Sequence, residues 1–275
     1  MKKLLILLSL FTLVLTGCGK KDGDSSSTNG STEKELEVLK VASLIPPMTD
    51  ILELIKPQLL EEGIELEVVV LSDNVQPNVA LSAKEVDANF FQHVPYMEQF
   101  NRSNDANLVP VTPIYFANYG VYAKEFDSID ALPDGATVAI ANDISNVDRS
   151  LQLLAQHGVI KLQDKTEPYW TVKDVIENPK NLKFEEVDLL MLARMYDDAD
   201  AVVMTPAYAA PLGLTPKRDA LLTEGTENEF AITLVARKDN KEDTKIKKLA
   251  KALTSPEVKK FLEENYDETA IPAFK

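Results

Sequence analysis

The sequence predicts an α/β fold, and its length allows either one large core or two lobes. Segments with the apolar spacing of strands alternate along the chain with segments that have the apolar spacing of helices. This alternation is typical of parallel sheets covered by helices. Roughly 235 residues follow a polar segment near the N-terminus, enough for two lobes. Extended stretches at 115–122 and 230–237 are candidates for two crossings between such lobes.

The individual elements follow from local patterns. Strands are predicted, from alternation or short apolar runs, at 39–43, 65–71, 109–122, 137–141, 201–204 and 231–237. Helices are predicted, from apolar residues at helical spacing, at 48–62, 79–86, 146–157, 244–253 and 256–265. The residues expected to face inward in the first helix and second strand are Met48, Ile51, Leu52, Ile55, Leu59, Leu60, Ile64, Leu66, Val68 and Val70. Gly63 suits a helix C-terminal cap, and Ser255 with Pro256 suits the start of the last helix.

The N-terminus has the features of a lipoprotein signal peptide. Lys2 and Lys3 precede an apolar run of about 12 residues, whereas a membrane-spanning helix needs roughly 20. Small residues then lead to Cys18, the only cysteine, which has no internal disulfide partner. We therefore predict a signal peptide at 1–17, lipidation of Cys18, and a flexible polar linker at 18–37. A chance cysteine after an ordinary cleavage site is the alternative.

The charge of the chain excludes one class of partner. The sequence has 29 Lys+Arg against 44 Asp+Glu, for a formal net charge of −15, and loss of Lys2 and Lys3 with the signal peptide makes it more negative. A folded protein with this negative charge repels the phosphate backbones of nucleic acids, so no nucleic acid is expected to bind. Anionic lipid offers no attraction either, so the acyl anchor alone is expected to hold the protein at the membrane.

Aromatic residues concentrate in two stretches of the chain. They are Phe90, Phe91, Tyr96 and Phe100 in the first, and Tyr115, Phe116, Tyr119 and Tyr122 in the second. These eight are a large share of the chain's 10 Phe and 8 Tyr residues, and such density can line an apolar pocket with polar edges. Plain core packing is the alternative, and His93 between them is either a ligand contact or a structural histidine.

Residues 141–149 join a predicted strand to a predicted helix and form a second candidate site. Ser145 and Asp148 have the spacing of a capping box, with Asp in place of Glu. At 100° per residue, Arg149 lies about 200° from the buried position Val147, so it is expected to face solvent or a cleft. A helix N-terminus beside a guanidinium suits a carboxylate ligand. The alternative is a surface arginine paired with Asp148 or another acid.

Motifs of common enzyme classes are absent from the sequence. It contains no Gly-x-Ser-x-Gly elbow, phosphate loop or Gly-x-Gly-x-x-Gly segment. Its two histidines, His93 and His157, stand in unrelated contexts, and Cys18 is predicted to be acylated, so a His/Cys metal site is poorly supported. We expect no cofactor, no metal and no catalysis, although a carboxylate dyad stays open.

Residues 87–96, D-A-N-F-F-Q-H-V-P-Y, resemble the D-A-N-x-F-Q-H-x-P-Y segment of the methionine-binding lipoprotein (MetQ/NlpA) family. Members of this family are the substrate-binding proteins of methionine-uptake ABC transporters. Residues 75–78, 142–149, 213–220 and 270–274 are also similar to family segments, so the resemblance runs from about residue 39 to the C-terminus.

The resemblance implies a periplasmic-binding-protein-like fold of type II. It implies a first lobe from 38–117 and 232–275, a second lobe from 118–231, and two hinge crossings between them. An amino acid, L-methionine or a relative, would bind in the cleft and pass to an ABC permease and ATPase. Arg149 would hold its carboxylate. The predicted ligand-binding residues are Phe91, His93, Tyr96, Tyr115, Asn142, Asn146, Arg149, Met204, Thr205 and Tyr208.

Two stretches depart from the family pattern. Residues 204–207, M-T-P-A, stand where an Asn-x-Asn-like stretch commonly grips the ligand, and 44–48, L-I-P-P-M, replace a Thr-Pro-x-Pro-His pattern. Another apolar amino acid or a short peptide is therefore an open alternative to methionine. A surface adhesin or sensor lipoprotein, or an enzyme on the same two-lobe fold, is the alternative to transport. We expect a monomer anchored on the extracytoplasmic face of the cell membrane.

Overall fold

The computed structural model of the protein describes residues 36–275. The predicted signal peptide, Cys18 and all but the last two residues of the predicted linker lie outside the described residues. Residues 36–275 belong to one compact unit. Within 36–275, no helix combines the length and the apolar character that crossing a membrane requires.

The strands and helices of residues 36–275 alternate along most of the chain. The strands are β1 (Glu37–Ser43), β2 (Ile64–Val70), β3 (Ala88–His93), β4 (Leu108–Ala117), β5 (Gly120–Tyr122), β6 (Thr137–Ala141), β7 (Lys161–Leu162), β8 (Val175–Glu177), β9 (Lys183–Val187), β10 (Ala201–Met204), β11 (Ala220–Thr223), β12 (Ala231–Arg237) and β13 (Ala270–Pro272). The helices are α1 (Met48–Glu61), α2 (Gln76–Ser82), α3 (Val94–Asn104), α4 (Ile144–Gln156), α5 (Leu192–Asp198), α6 (Pro206–Ala209), α7 (Pro216–Asp219), α8 (Thr244–Leu253) and α9 (Pro256–Asn265). The predicted strands at β1, β6, β10 and β12 and the predicted helices at α1, α8 and α9 are confirmed to within two residues.

Two mixed sheets organise the fold. The first has the order β13-β4-β12-β3-β1-β2, and the second has the order β11-β5-β10-β6-β9. In the first, β1 is parallel to β2 and β3, whereas β12 is antiparallel to both β3 and β4. The prediction of parallel sheets therefore holds for β1, β2 and β3 and for β6, β9 and β10, but not for the remaining strands of the two sheets. The physical reason is the return of the chain from the second sheet, which inserts β12 between two strands formed earlier.

The chain passes between the two sheets twice. Residues 118–119 connect β4 to β5, and residues 224–230 connect β11 to β12. We call the part around the first sheet lobe 1 and the part around the second sheet lobe 2, and we keep the predicted boundaries at 117/118 and 231/232 as a proposal. Each lobe has its own buried apolar clusters.

Helices α1, α8 and α9 supply much of the core of lobe 1. Five of the six predicted inward residues of α1 are buried, but Leu60 is exposed. Val70 is 62 % exposed at the end of the edge strand β2, so its predicted inward orientation is also wrong. Ser255 caps α9 as predicted, since its Oγ accepts a hydrogen bond from the backbone N–H of Val258 at 3.3 Å.

Candidate ligand-binding site

Strand β3 carries the predicted aromatic segment and is buried along its whole length. Its pairing with β12 shifts register, because Gln92 lies opposite Thr233 and Phe90 lies opposite Leu234. Phe91 is thus the additional residue of a β-bulge, which interrupts the alternation of side chains across the strand. As a result Phe90 and Phe91 both join the core of lobe 1, and Phe91 also lines the cleft beside it.

The polar residues of this segment form a buried amide network. The Nδ2 group of Asn89 donates to Asn78 Oδ1 at 2.8 Å, and Gln92 Nε2 donates to the same oxygen at 2.5 Å. In return Asn78 Nδ2 donates to Gln92 Oε1 at 2.8 Å. The segments 75–78 and 87–96 are therefore joined by hydrogen bonds that hold β3 against the start of α2. This network positions the neighbouring side chains that reach the cleft.

His93 ends β3, caps α3 and reaches lobe 2. Its Nδ1 accepts a hydrogen bond from the backbone N–H of Tyr96 at 3.2 Å, so the proton of the neutral ring lies on Nε2. Nε2 lies 3.2 Å from Asn146 Oδ1, to which it donates. Burial and the nearby charge of Arg149 lower the pKa of His93 from its usual 6.5 to about 3. The imidazole therefore stays neutral and keeps this hydrogen-bond pattern at physiological pH.

This pKa predicts a pH dependence of stability. The unfolded chain binds a proton at His93 below about pH 6.5, whereas the folded protein binds it only near pH 3. The free energy of unfolding should therefore fall as the pH drops below 6.5, by up to about 1.4 kcal/mol per pH unit for this site. In urea titrations at several pH values, His93→Gln should remove this site's share of the dependence of unfolding free energy on pH. The control His157→Gln, at an exposed position, should keep that dependence. Equal slopes in wild type and His93→Gln would contradict the assignment.

Helix α4 begins at Ile144, two residues before its predicted start. Asp143, not Ser145, is its N-cap, because Asp143 Oδ1 accepts from the backbone N–H of Asn146 at 3.0 Å. Asp143 also accepts from Ser145 Oγ and from Asn146 Nδ2. The predicted capping box at Ser145 and Asp148 is therefore wrong, and the chain's own carboxylate occupies the start of α4 where a ligand carboxylate was expected.

Arg149 is 3 % exposed and does not face solvent. Its Nε donates to Glu224 Oε2 at 2.9 Å, and its Nη2 donates to Glu224 Oε1 and to the carbonyl oxygen of Ala117 at 2.8 Å. The guanidinium also lies 4.2 Å from the ring centre of Tyr119 and 4.9 Å from that of Phe230. The alternative, a surface pair with Asp148 or another acid, is correct only in that Arg149 pairs with another acid, because Glu224 is that acid and the pair is buried. Nη1 has no hydrogen-bond partner in residues 36–275.

The partners of Arg149 lie at the two places where the chain crosses between the lobes. Ala117 stands at the end of β4, before the first crossing, and Glu224 begins the second crossing. Glu224 Oε1 also accepts from the backbone N–H of Tyr119 at 3.2 Å. One buried ion pair thus joins α4 to both segments that connect the lobes. Sequence reasoning missed Glu224, since nothing in the local pattern separates it from the chain's other acidic residues.

The two lobes meet around a cleft that Arg149 lines. His93 and Asn146 bond across it, and Asn74 Nδ2 of lobe 1 lies 3.5 Å from the hydroxyl of Tyr208 in lobe 2. The volume open to the centre of a water molecule is about 70 Å³. One water needs about 10–15 Å³ on this measure, so the cleft suits one small molecule.

Eight of the ten predicted ligand-binding residues line this cleft. They are Phe91, His93, Tyr96, Tyr115, Asn146, Arg149, Thr205 and Tyr208. The other two do not line it, because Asn142 is exposed before α4 and Met204 is buried in the core of lobe 2. Residues that line the cleft but were not predicted include Leu44, Ile45, Met48, Asn74, Gln92, Tyr119 and Ile232. Of these, Tyr119 belongs to the second aromatic stretch, Gln92 to the segment 87–96, and Leu44, Ile45 and Met48 to the divergent segment 44–48.

The chemistry of the lining favours a ligand with an apolar part. Tyr96 donates its hydroxyl proton to the carbonyl oxygen of Asn74 at 3.0 Å. Burial, with a smaller effect of Asp143, raises the pKa of Tyr96, so this hydroxyl stays protonated. Among the described residues, none that lines the cleft is acidic, and no group of three or more His, Cys, Asp or Glu side chains is arranged to hold a metal ion.

Comparison with known proteins identifies the family. The sequence profile described as NlpA lipoprotein matches residues 39–274. The chain belongs to the NlpA lipoprotein family. It is 39 % identical to the methionine-binding lipoprotein MetQ of Bacillus subtilis, over 99 % of each chain. This finding confirms the resemblance based on residues 87–96.

Solved structures of NlpA-like proteins share the fold. A nutrient-binding protein from Burkholderia cenocepacia, solved with bound methionine, is 36 % identical with a TM-score of 0.82, over 86 % of this chain and 100 % of that one. An ABC transporter periplasmic substrate-binding protein from Coxiella burnetii is 36 % identical with a TM-score of 0.81, over the same shares. The predicted two-lobed binding-protein fold is thereby confirmed. These relatives are substrate-binding proteins and not enzymes.

Proposed function

We propose that this NlpA-family protein is the lipid-anchored, extracytoplasmic substrate-binding protein of an ABC importer. It captures L-methionine, a related amino acid or a short peptide between its lobes and delivers it to the permease, which the ATPase drives. The observation that carries the proposal is the small cleft lined both by aromatic side chains and by Arg149, whose Nη1 has no hydrogen-bond partner within 36–275. Relatives named for methionine binding support the same ligand class.

The cleft would contact the carboxylate, the side chain and the α-ammonium group of an amino acid with different groups. Arg149 can donate two N–H bonds from Nη1 to a carboxylate, although Glu224 already balances its charge. The aromatic side chains Phe91 and Tyr96 and the neutral ring of His93 surround an apolar side chain. An α-ammonium group would have to bind neutral oxygen atoms, because no acidic residue of the described chain lines the cleft.

Titration of the refolded, ligand-free protein with amino acids tests the proposal. L-methionine or norleucine should bind at one site per chain and remain chemically unchanged. L-methioninamide, which lacks the carboxylate, should bind at least about 30-fold more weakly, the equivalent of about 2 kcal/mol. Modifying the ligand is preferable to mutating Arg149, since the Arg149–Glu224 pair also supports the fold.

Tyr96→Ala provides the matched variant for this titration. It should change which side chains are accepted and preserve the preference for methionine over methioninamide. Binding of no amino acid or short peptide by calorimetry and thermal shift would contradict the proposal and favour the adhesin or sensor alternative. Turnover of the ligand would favour an enzyme.

The proposed lipid anchor at Cys18 can be tested separately in cells. Cys18→Ser should release the protein from the membrane, because one sulfur carries the acyl anchor and an acidic body has no second attraction to lipid. Partition into detergent measures this, with Ser27→Ala as the control that stays anchored. A Cys18→Ser protein that loses its signal peptide and still enters the detergent phase would contradict the lipidation site.

A further inference from the structure

A second, larger cavity adjoins the ligand cleft between the lobes. Its volume open to the centre of a water molecule is about 450 Å³, against about 70 Å³ for the cleft. The two share the lining residues Ile45, Tyr115, Ala117, Thr205, Ala207 and Tyr208. We call the larger one the side cavity. The shared residues place the side cavity directly beside the cleft.

The walls of the side cavity are apolar and come from both lobes. Pro46 and Pro47 contribute from lobe 1, and Pro211 and Leu214 contribute from lobe 2. No charged residue of the described chain lines it. An ammonium or carboxylate group placed there would lose its hydration without gaining a partner, whereas hydrocarbon would gain from leaving water.

Most hydroxyl groups that line the side cavity already form hydrogen bonds within the protein. Tyr266 donates to Asp50 Oδ2 at 2.6 Å, and Thr269 donates to the carbonyl oxygen of Tyr266. Tyr115 is 2 % exposed and lines both cavities, as Thr205 does, and the hydroxyl of neither residue has a hydrogen-bond partner within 36–275. Burial raises the pKa of Tyr115, so a protonated hydroxyl stands at the boundary of the two spaces.

We propose that the side cavity receives an apolar tail of the ligand that is longer than the side chain of methionine. This inference rests on the proposed function, with the amino-acid head group in the cleft near Arg149. The tail is the hydrocarbon part of a long side chain, because the second residue of a dipeptide would carry the free carboxylate into the uncharged side cavity. The polar head group stays in the cleft, which Tyr115 also lines.

A chain-length series tests the inference on the mature protein. Norleucine, 2-aminooctanoate and 2-aminodecanoate differ only in methylene groups, and affinity should rise by about fourfold per added methylene, the equivalent of about 0.8 kcal/mol. A gain along the series supports the proposal.

Substitutions that fill the side cavity are the second arm. Leu214→Trp should weaken binding of the longer ligand at least tenfold and leave norleucine within twofold of wild type. Ala210→Phe provides a second filling variant. Leu212→Trp is the matched control, because Leu212 is exposed two residues away and lines neither cavity.

The outcomes separate this inference from the proposed function. Norleucine binding with no gain from longer ligands overturns the side-cavity proposal alone. Equal loss of short and long ligands in both filling variants also overturns it. Failure of methionine, norleucine and all longer ligands to bind overturns the proposed function and this inference together.

Discussion

Arg149→Met should lower the free energy of unfolding by about 3–5 kcal/mol. The substitution removes the guanidinium but leaves Glu224, only 6 % exposed, as a buried carboxylate without its charged partner. It also leaves the carbonyl oxygen of Ala117 without its side-chain donor. Urea unfolding of the ligand-free protein measures the change. The sequence argument placed Arg149 facing solvent or a cleft and did not reveal this buried ion pair.

The double variant Arg149→Met/Glu224→Gln distinguishes an unpaired charge from lost packing. The neutral glutamine keeps an oxygen for the backbone N–H of Tyr119, so most of the lost stability should return. Arg194→Met on the exposed surface of α5 is the control and should leave the unfolding midpoint unchanged. A loss below about 1 kcal/mol for Arg149→Met would show that the buried pair contributes little to the fold.

Asn78→Ala should lower the free energy of unfolding by about 2–4 kcal/mol. It should also make strand β3, which lines the cleft, less rigidly held. The substitution removes three hydrogen bonds of the amide network and leaves the Oε1 atom of Gln92 without its donor. Because β3 also carries Phe91 and His93, ligand affinity should fall together with stability. Urea unfolding and calorimetric titration of the same preparation measure both effects.

The exposed Asn265→Ala is the matched control for this loss. Asn265 donates one hydrogen bond to the carbonyl oxygen of Phe261 on the surface of α9, and its removal should change neither stability nor binding. Asn78→Asp is a sharper variant of nearly the same size. It places a carboxylate oxygen where Gln92 Oε1 requires a donor, so it should be at least as destabilising as Asn78→Ala. A stable Asn78→Asp protein would contradict the hydrogen-bond assignment.

Local periodicity predicted the elements that bury one face against a single sheet. Helices α8 and α9 and strands β6, β10 and β12 have the bounds expected from their patterns to within one residue. The same reasoning said nothing about β3 and α3 as elements, because every residue of β3 is buried and the strand shows no amphipathic alternation. A buried strand with a bulge carries no period that a sequence can reveal.

Helix α4 shows why the site was only partly predictable. Its first turns are buried on every side, from Ser145 to Leu151. Lobe 1 and the crossing segments cover the face that a one-sided amphipathic helix would leave to solvent. The predicted angle between Val147 and Arg149 follows correctly from helix geometry. The burial of Arg149, however, depends on which segments pack against the opposite face of the helix, and these segments are distant in the sequence.

The sequence by itself determined the α/β class, most element positions, the family and the aromatic segment of the cleft, because these depend on periodicity and on short contiguous motifs. Only the tertiary structure decided that the sheets are mixed, that Arg149 is neutralised by Glu224, 75 residues away in the chain, and that a side cavity adjoins the cleft. The physical reason is that an ion pair, a strand insertion and a cavity each arise from residues distant in sequence, whose meeting no local pattern encodes.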